Sequence, residues 1–237
     1  MRNIPIVLGI ARSSRNARTA SAEGGSATKL TAELKQKIFE RDEYRCQCCG
    51  FKSAKYQDVH FLNGLRTDVR QENMATACIF CHQCFNLDDV SVMRSGVLVW
   101  MPEIEQTALH HIARAVYVAR ISQGPIADAA RRALDVLMKR RDEIRNRLGT
   151  DDPYILATVL KDYISEKSYE EREKKLDGVR LFPLDRRIIK ESDLEFNQFP
   201  QILAYWRSKD GPFGETPPRR WVKLFYDVQG KLGSAAA

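Results

Sequence analysis

All six cysteines of this 237-residue chain lie between Cys46 and Cys84, and four of them form two pairs at Cys-x-x-Cys spacing, Cys46/Cys49 and Cys78/Cys81. A Cys-x-x-Cys turn presents two sulfurs on one side of a tight knuckle. Two such knuckles complete the tetrahedral shell that zinc prefers, at about 2.3 Å per bond. Four thiolates leave no open position, whereas catalytic zinc keeps one for water, so one structural Zn2+ is expected. Cys81 and Cys84 form a competing pair at the same spacing. Cys48 sits inside the first knuckle as a neighbour of the ligands, and Cys84 reads as a small core residue of the helix that follows.

Lys plus Arg exceed Asp plus Glu by seven. That excess suits nucleic acid, an anionic membrane surface or an acidic protein partner, and charge alone chooses none of them. The length supports one large domain or two small ones with a buried core. No stretch approaches the roughly 20 apolar residues needed to span a bilayer, so membrane association is expected only through partners or the surface. The apolar run Ile4 to Ile10, between Arg2 and Arg12, is at the lower edge of a signal-peptide core and reads instead as an edge strand. Without export, the cysteines read as metal ligands or reduced thiols before disulfides.

The pattern predicts an α+β chain. Residues 1–29 read as an N-terminal strand and a polar loop (19–29), and residues 30–105 as a zinc-binding core. Residues 106–209 read as a helical layer packed on that core. Residues 210–237 read as an irregular tail, rich in Gly and Pro up to Arg220 and closing on GSAAA, which looks like an added sequence. Thr31 should cap a helix carrying Leu34, Ile38 and Phe39 that leads into the first knuckle. Tyr56 to Leu62 reads as a strand with a turn at Asn63-Gly64, and Val90–Met93 with Val97–Met101 as a hairpin about Arg94-Ser95-Gly96. Leu109, Ile112 and Val116 mark a helix. Pro125 opens another that ends at Gly149, Asp152 before Pro153 starts a third, and Ser168 with Glu171 forms a capping box closing near Gly178.

The residues around the knuckles resemble the HNH, or ββα-metal, family. Cys46 and Cys49 precede a strand bearing His60, then come Asn73-Met74, then Cys78 and Cys81 followed by His82. The resemblance implies a zinc-centred ββα core with a β-hairpin, and the step from Asn73 to Cys78 favours Cys78/Cys81 as ligands. In such nucleases a histidine activates water, an asparagine fixes it, and a carboxylate with the last histidine binds a cation. His60, Asn73 and His82 match three of these roles. Val59 stands where the carboxylate is expected, and Asp58 lies on the opposite strand face. A lone imidazole is a poor site for a hard cation, so the catalytic assignment is none.

A wider stretch is similar to the IcmJ/DotN family of the bacterial Dot/Icm type IVB secretion system. It comprises KIFERDEYRCQCCGF (37–51), NMATACIFCHQCF (73–85), GVLVWMPEIEQTALHHI (96–112) and VRLFP (179–183). The resemblance implies a non-enzymatic, zinc-binding, HNH-like subunit of the type IV coupling complex at the cytoplasmic face of the inner membrane. It implies binding to the C-terminal tail of the coupling ATPase DotL, beside DotM, IcmS and IcmW. The alternative is a metal-dependent endonuclease using His60 as general base, and a third possibility is a DNA-binding zinc module.

His110 and His111 lack spaced acidic or cysteine partners and read as surface or satisfied core residues. Arg131, Arg132, Lys139, Arg140, Arg141, Arg145 and Arg147 are interleaved with Asp128, Asp135, Asp142 and Glu143. That mixture marks an ion-paired face, so nucleic acid is not expected there. Tyr205-Trp206 and Trp221-Val222 are candidates for a partner anchor or for core packing.

Overall fold

The computed structural model describes residues 1–11 and 30–235, with side chains to Gln229. The chain is α+β. Helix α1 (Ala32–Arg41) begins where the Thr31 hydroxyl accepts the Leu34 amide at 3.2 Å. Strands β1 (Gln57–Phe61) and β2 (Met74–Cys78) pair antiparallel, with His60 opposite Ala75. Helix α2 (Ile79–Cys84) starts directly from the end of β2, and α3 (Leu87–Val92) follows. Val59 points from β1 into a small apolar cluster with Ile38 and Met74.

Strand β3 (Gly96–Trp100) leads to α4 (Gln106–Arg120) and α5 (Pro125–Leu148). Pro at the first position and Gly149 in the left-handed region (φ 73°) bound α5, as their backbone preferences require. It packs on α4 and across β3. The Asp152 carboxylate accepts the Tyr154 amide at the start of α6 (Pro153–Thr158), which runs into a π-helical turn. Short helices α7 (Glu166–Glu170) and α8 (Arg172–Lys175) precede β4 (Val179–Pro183), which pairs antiparallel with β3. A hairpin of β5 (Ile188–Glu191) and β6 (Leu194–Asn197) leads to α9 (Phe199–Arg207) and, after Pro218–Arg220, to α10 (Trp221–Ala235).

Several elements differ from the sequence expectations. The predicted hairpin at 90–101 does not form. Leu87 and Val90, one helical turn apart, are both buried and place residues 87–92 in α3, while β3 takes its partner from residues 179–183. The Ile4–Ile10 segment joins no sheet, because its backbone bonds go to different elements. Ile4 N–H donates to Gln47 O, Gly9 N–H to Cys84 O, and Gly9 O accepts from Leu87 N–H.

Ser165, not Ser168, caps α7 by accepting the Ser168 amide at 3.2 Å, which puts Ser168 inside the first turn. The tail is helical from Trp221, where the Gly/Pro run has ended. Strands β4 to β6 lie within the stretch expected to be helical. The polar loop at 19–29 lies outside the described residues.

The main core joins both knuckles to the helical layer through aromatic side chains. Trp206 packs edge-on against Phe51, Phe80 and Phe199, with ring centroids 5.7, 5.6 and 6.0 Å away. Tyr205 is only partly buried. Trp221 packs on Phe213, while Val222 is 59% exposed.

Candidate metal centre

The first knuckle closes by backbone hydrogen bonds. Cys46 N–H donates to Phe51 O and Gly50 N–H to Cys46 O, both at 2.9 Å. Gly50 has φ +74°, a left-handed turn residue that lets the chain reverse tightly behind Cys49. The second knuckle is the junction of β2 and α2, where Cys78 Sγ accepts the Cys81 amide at 3.5 Å. Sequence position alone therefore sets each sulfur pair on one side of its turn.

Packing of α2 beside the first knuckle brings Cys46, Cys49, Cys78 and Cys81 together, with all four sulfurs within 4.8 Å of one another. Cys49 Sγ lies 3.7 Å from Cys78 Sγ. A tetrahedron with bonds of 2.3 Å has edges of about 3.8 Å, so this group can hold a metal ion with soft donors. Cys84 lies outside the group. Its thiol donates to Phe80 O at 3.5 Å and faces His110 Nε2 at 3.7 Å.

Hydrogen bonds from Cys48 and Cys49 hold the Cys46 thiol well below its ordinary pKa, while burial pushes Cys78 up.

Helix α4 lies against this group with three polar side chains. His110 is fully buried, with Nδ1 3.3 Å from Cys81 Sγ and Nε2 2.8 Å from Gln106 Nε2. His111 Nε2 is 2.8 Å from Cys49 O. Arg114 reaches Cys78 Sγ at 2.7 Å. His110 is thus a satisfied core residue, as one of the two expectations had it, but its thiol neighbours and the role of Arg114 were not foreseen. The signal was present: Arg114 falls at helical spacing from His110 and Tyr117, on the buried face of α4.

The chain is 34% identical over 165 residues to the type 4 apparatus protein DotN of Legionella pneumophila, a match spanning 67% of this chain and 77% of that protein. The chain belongs to the DotN family. No protein-family model matches the sequence. In this DotN-family chain the residues with nuclease-like spacing are placed as follows. His60 and His82 both line a cavity of about 520 Å³ with Arg66, Asn63 and Asn86. His60 stacks on Phe85 with ring centroids 3.9 Å apart. Asn73 is committed elsewhere, accepting the Asn63 amide at 2.9 Å and donating to Asp68 O at 2.8 Å. Asp58 pairs with Lys35 at 3.1 Å. The basic helix α5 carries ion pairs of Arg131, Arg145 and Arg147 with Asp128, Asp142 and Glu143.

Burial, with a smaller effect of His82, lowers the His60 pKa to about 4. The folded state therefore resists protonating it, and the linked stability is complete above the unfolded value near 6.5. It is lost as pH falls from about 6.5 to about 4, by at most about 3 kcal/mol. Replacing His60 by Phe should remove this part of the acid sensitivity. Urea unfolding of both proteins at pH 7 and pH 4.5 checks it, and equal losses in the two proteins would refute it.

Proposed function

We propose that this chain is a non-enzymatic, zinc-binding component of a type IVB secretion apparatus, within its coupling complex. It would bind the C-terminal tail of a DotL-like ATPase, beside DotM, IcmS and IcmW. The observation that carries this reading is the extended identity to a type 4 apparatus protein. The buried four-cysteine group supports a zinc ion held by Cys46, Cys49, Cys78 and Cys81, which would fix the two knuckles and supply no open coordination position. The order β1, β2, α2 around it supports an HNH-like ββα core. No helix among the described residues is long and apolar enough to cross a membrane, so placement at the cytoplasmic face of the inner membrane would come through partners.

A groove of about 510 Å³ between the end of α4 and α9 suits an extended peptide. Ile121, Phe199 and Leu203 form its apolar wall, and Arg120 and Arg207 its edges. Apolar contact would supply affinity there, and Arg207 would steer acidic segments, since Arg120 is already ion-paired with Asp185 at the same rim. Calorimetry with the purified ATPase tail should show binding. Ile121→Asp, at a position 42% exposed, should weaken it tenfold or more without unfolding the protein. No binding at tens of micromolar by folded, zinc-loaded protein would remove the assignment.

The rival reading is an endonuclease using His60, favoured by the cavity that His60 shares with His82. Two observations weigh against it: Val59 faces the apolar core at the position of the missing carboxylate, and Asn73 is engaged by the loop at 63–68. DNA incubated with magnesium, manganese or nickel should stay intact. Cutting that disappears in His60→Ala would reverse the ranking of the two readings.

A further inference from the structure

Arg114 occupies the middle of α4 and is 1% exposed. One end of its guanidinium, Nη2, lies 2.7 Å from Cys78 Sγ and 3.7 Å from Cys49 Sγ. Its flat face covers the Phe51 ring at 4.1 Å and the Phe80 ring at 5.0 Å. Nε and Nη1 have no hydrogen-bond partner. Among the described residues the polar side-chain atoms that the guanidinium reaches are the sulfurs of Cys78 and Cys49.

A guanidinium cannot shed its proton, so a buried arginine must be matched by a buried anion or be strongly destabilising. Four neutral thiols would not match it. Four thiolates around a divalent ion carry a net charge of −2 and would. The match also works in the other direction, because a buried dianion needs a cation close by. Phe51 and Phe80 exclude water from the contact, which strengthens it.

We propose that Arg114 is the internal countercation of the four-cysteine centre, and that through it the bound metal holds α4 against both knuckles. The inference rests on the metal-centre reading and adds a direction of control: occupancy of the centre decides whether α4 is seated. Arg114 is a positioning residue in this scheme and not a ligand. With the metal removed, the arginine loses the anionic centre that matches it, and the helix carrying it becomes the first part of the layer to open.

The test uses the full chain, with zinc affinity measured by chelator competition and α4 followed by amide hydrogen exchange over residues 106–120. Wild-type protein should show at least tenfold faster exchange of α4 after chelation. Arg114→Gln, which removes the charge but keeps donors, should bind zinc 10- to 100-fold more weakly, the range for partners that support metal ligands. Arg114→Lys should recover to within about fivefold of wild type. In cobalt-substituted protein the sulfur-to-metal charge-transfer band should shift in Arg114→Gln and stay near its wild-type position in Arg114→Lys.

Equal zinc affinities for the Gln and Lys variants, with an unmoved cobalt band, would overturn the countercation role while leaving the metal centre standing. Wild-type protein that takes up neither zinc nor cobalt would overturn both. If Arg114→Gln does not fold, Arg114→Met serves as the uncharged member of the comparison. Failure of both to fold while Arg114→Lys folds and binds zinc supports the role, and failure of all three overturns it.

Discussion

Protein purified with Cys46 or Cys81 replaced by Ser should contain no stoichiometric zinc and should be recovered mostly in the insoluble fraction. The wild-type protein should carry one zinc per chain by elemental analysis. Structural zinc binding in zinc-finger sites contributes about 10–16 kcal/mol of apparent free energy near neutral pH, against about 5–15 kcal/mol for the stability of a whole domain. Both knuckles end in the main core, since Cys46, Cys78 and Cys81 are buried with Phe51 and Phe80. Losing one ligand therefore unfastens the core and not a surface loop. Cys84→Ser should keep its zinc, because Cys84 lies outside the four-sulfur group. Zinc lost from Cys84→Ser but retained by Cys78→Ser would show that the ligand set is wrong.

Trp206→Ala should lower stability by about 3–5 kcal/mol, the cost of emptying a large aromatic site that cannot collapse. The residue is 1% exposed and packs against Phe51 from the first knuckle, Phe80 from α2 and Phe199 from α9. These elements are held by other contacts, so the cavity would persist. Trp206→Phe should cost much less, because the indole N–H has no hydrogen-bond partner to lose. Urea midpoints at constant slope give both values. A loss below about 1 kcal/mol for the alanine variant would mean that the aromatic cluster does not join the two halves of the core.

What the sequence revealed was whatever a few neighbouring residues decide. Cys-x-x-Cys spacing determines where two sulfurs point, Thr31 and Asp152 satisfy amides two or three residues onward, and Pro125 and Gly149 bound a helix by their own backbone preferences. The failures lay where distant residues decide. Val97 to Met101 has the composition of a strand, but its partner at Val179–Pro183 is invisible to any local window, and a nearer partner was wrongly chosen. Leu87 and Val90 leave helix and strand equally open in a run that short. Arg114 was overlooked because a charged residue on a helix is normally solvated, and only the packing of α4 on the knuckles puts its guanidinium beside sulfur.

The pairing of β3 with β4 makes the stretch from Met101 to Gly178 a closed excursion, leaving and re-entering the body at adjacent points. The entropy of closing such an excursion grows only with the logarithm of its length, roughly 0.6 kcal/mol per doubling. Insertions or deletions in its exposed loops therefore cost little, provided the buried faces of α4, α5 and α6 are kept. The exit is far less forgiving. Gly178 has φ +81°, and a Cβ there would sit 2.6 Å from the Trp100 ring, so the re-entry point admits glycine alone without rearrangement. Divergence among relatives should accordingly gather on the outer helices between these points, while the two strands and their glycine hinge stay fixed. The excursion is the part of this architecture where new contact surfaces can be added without refolding the centre.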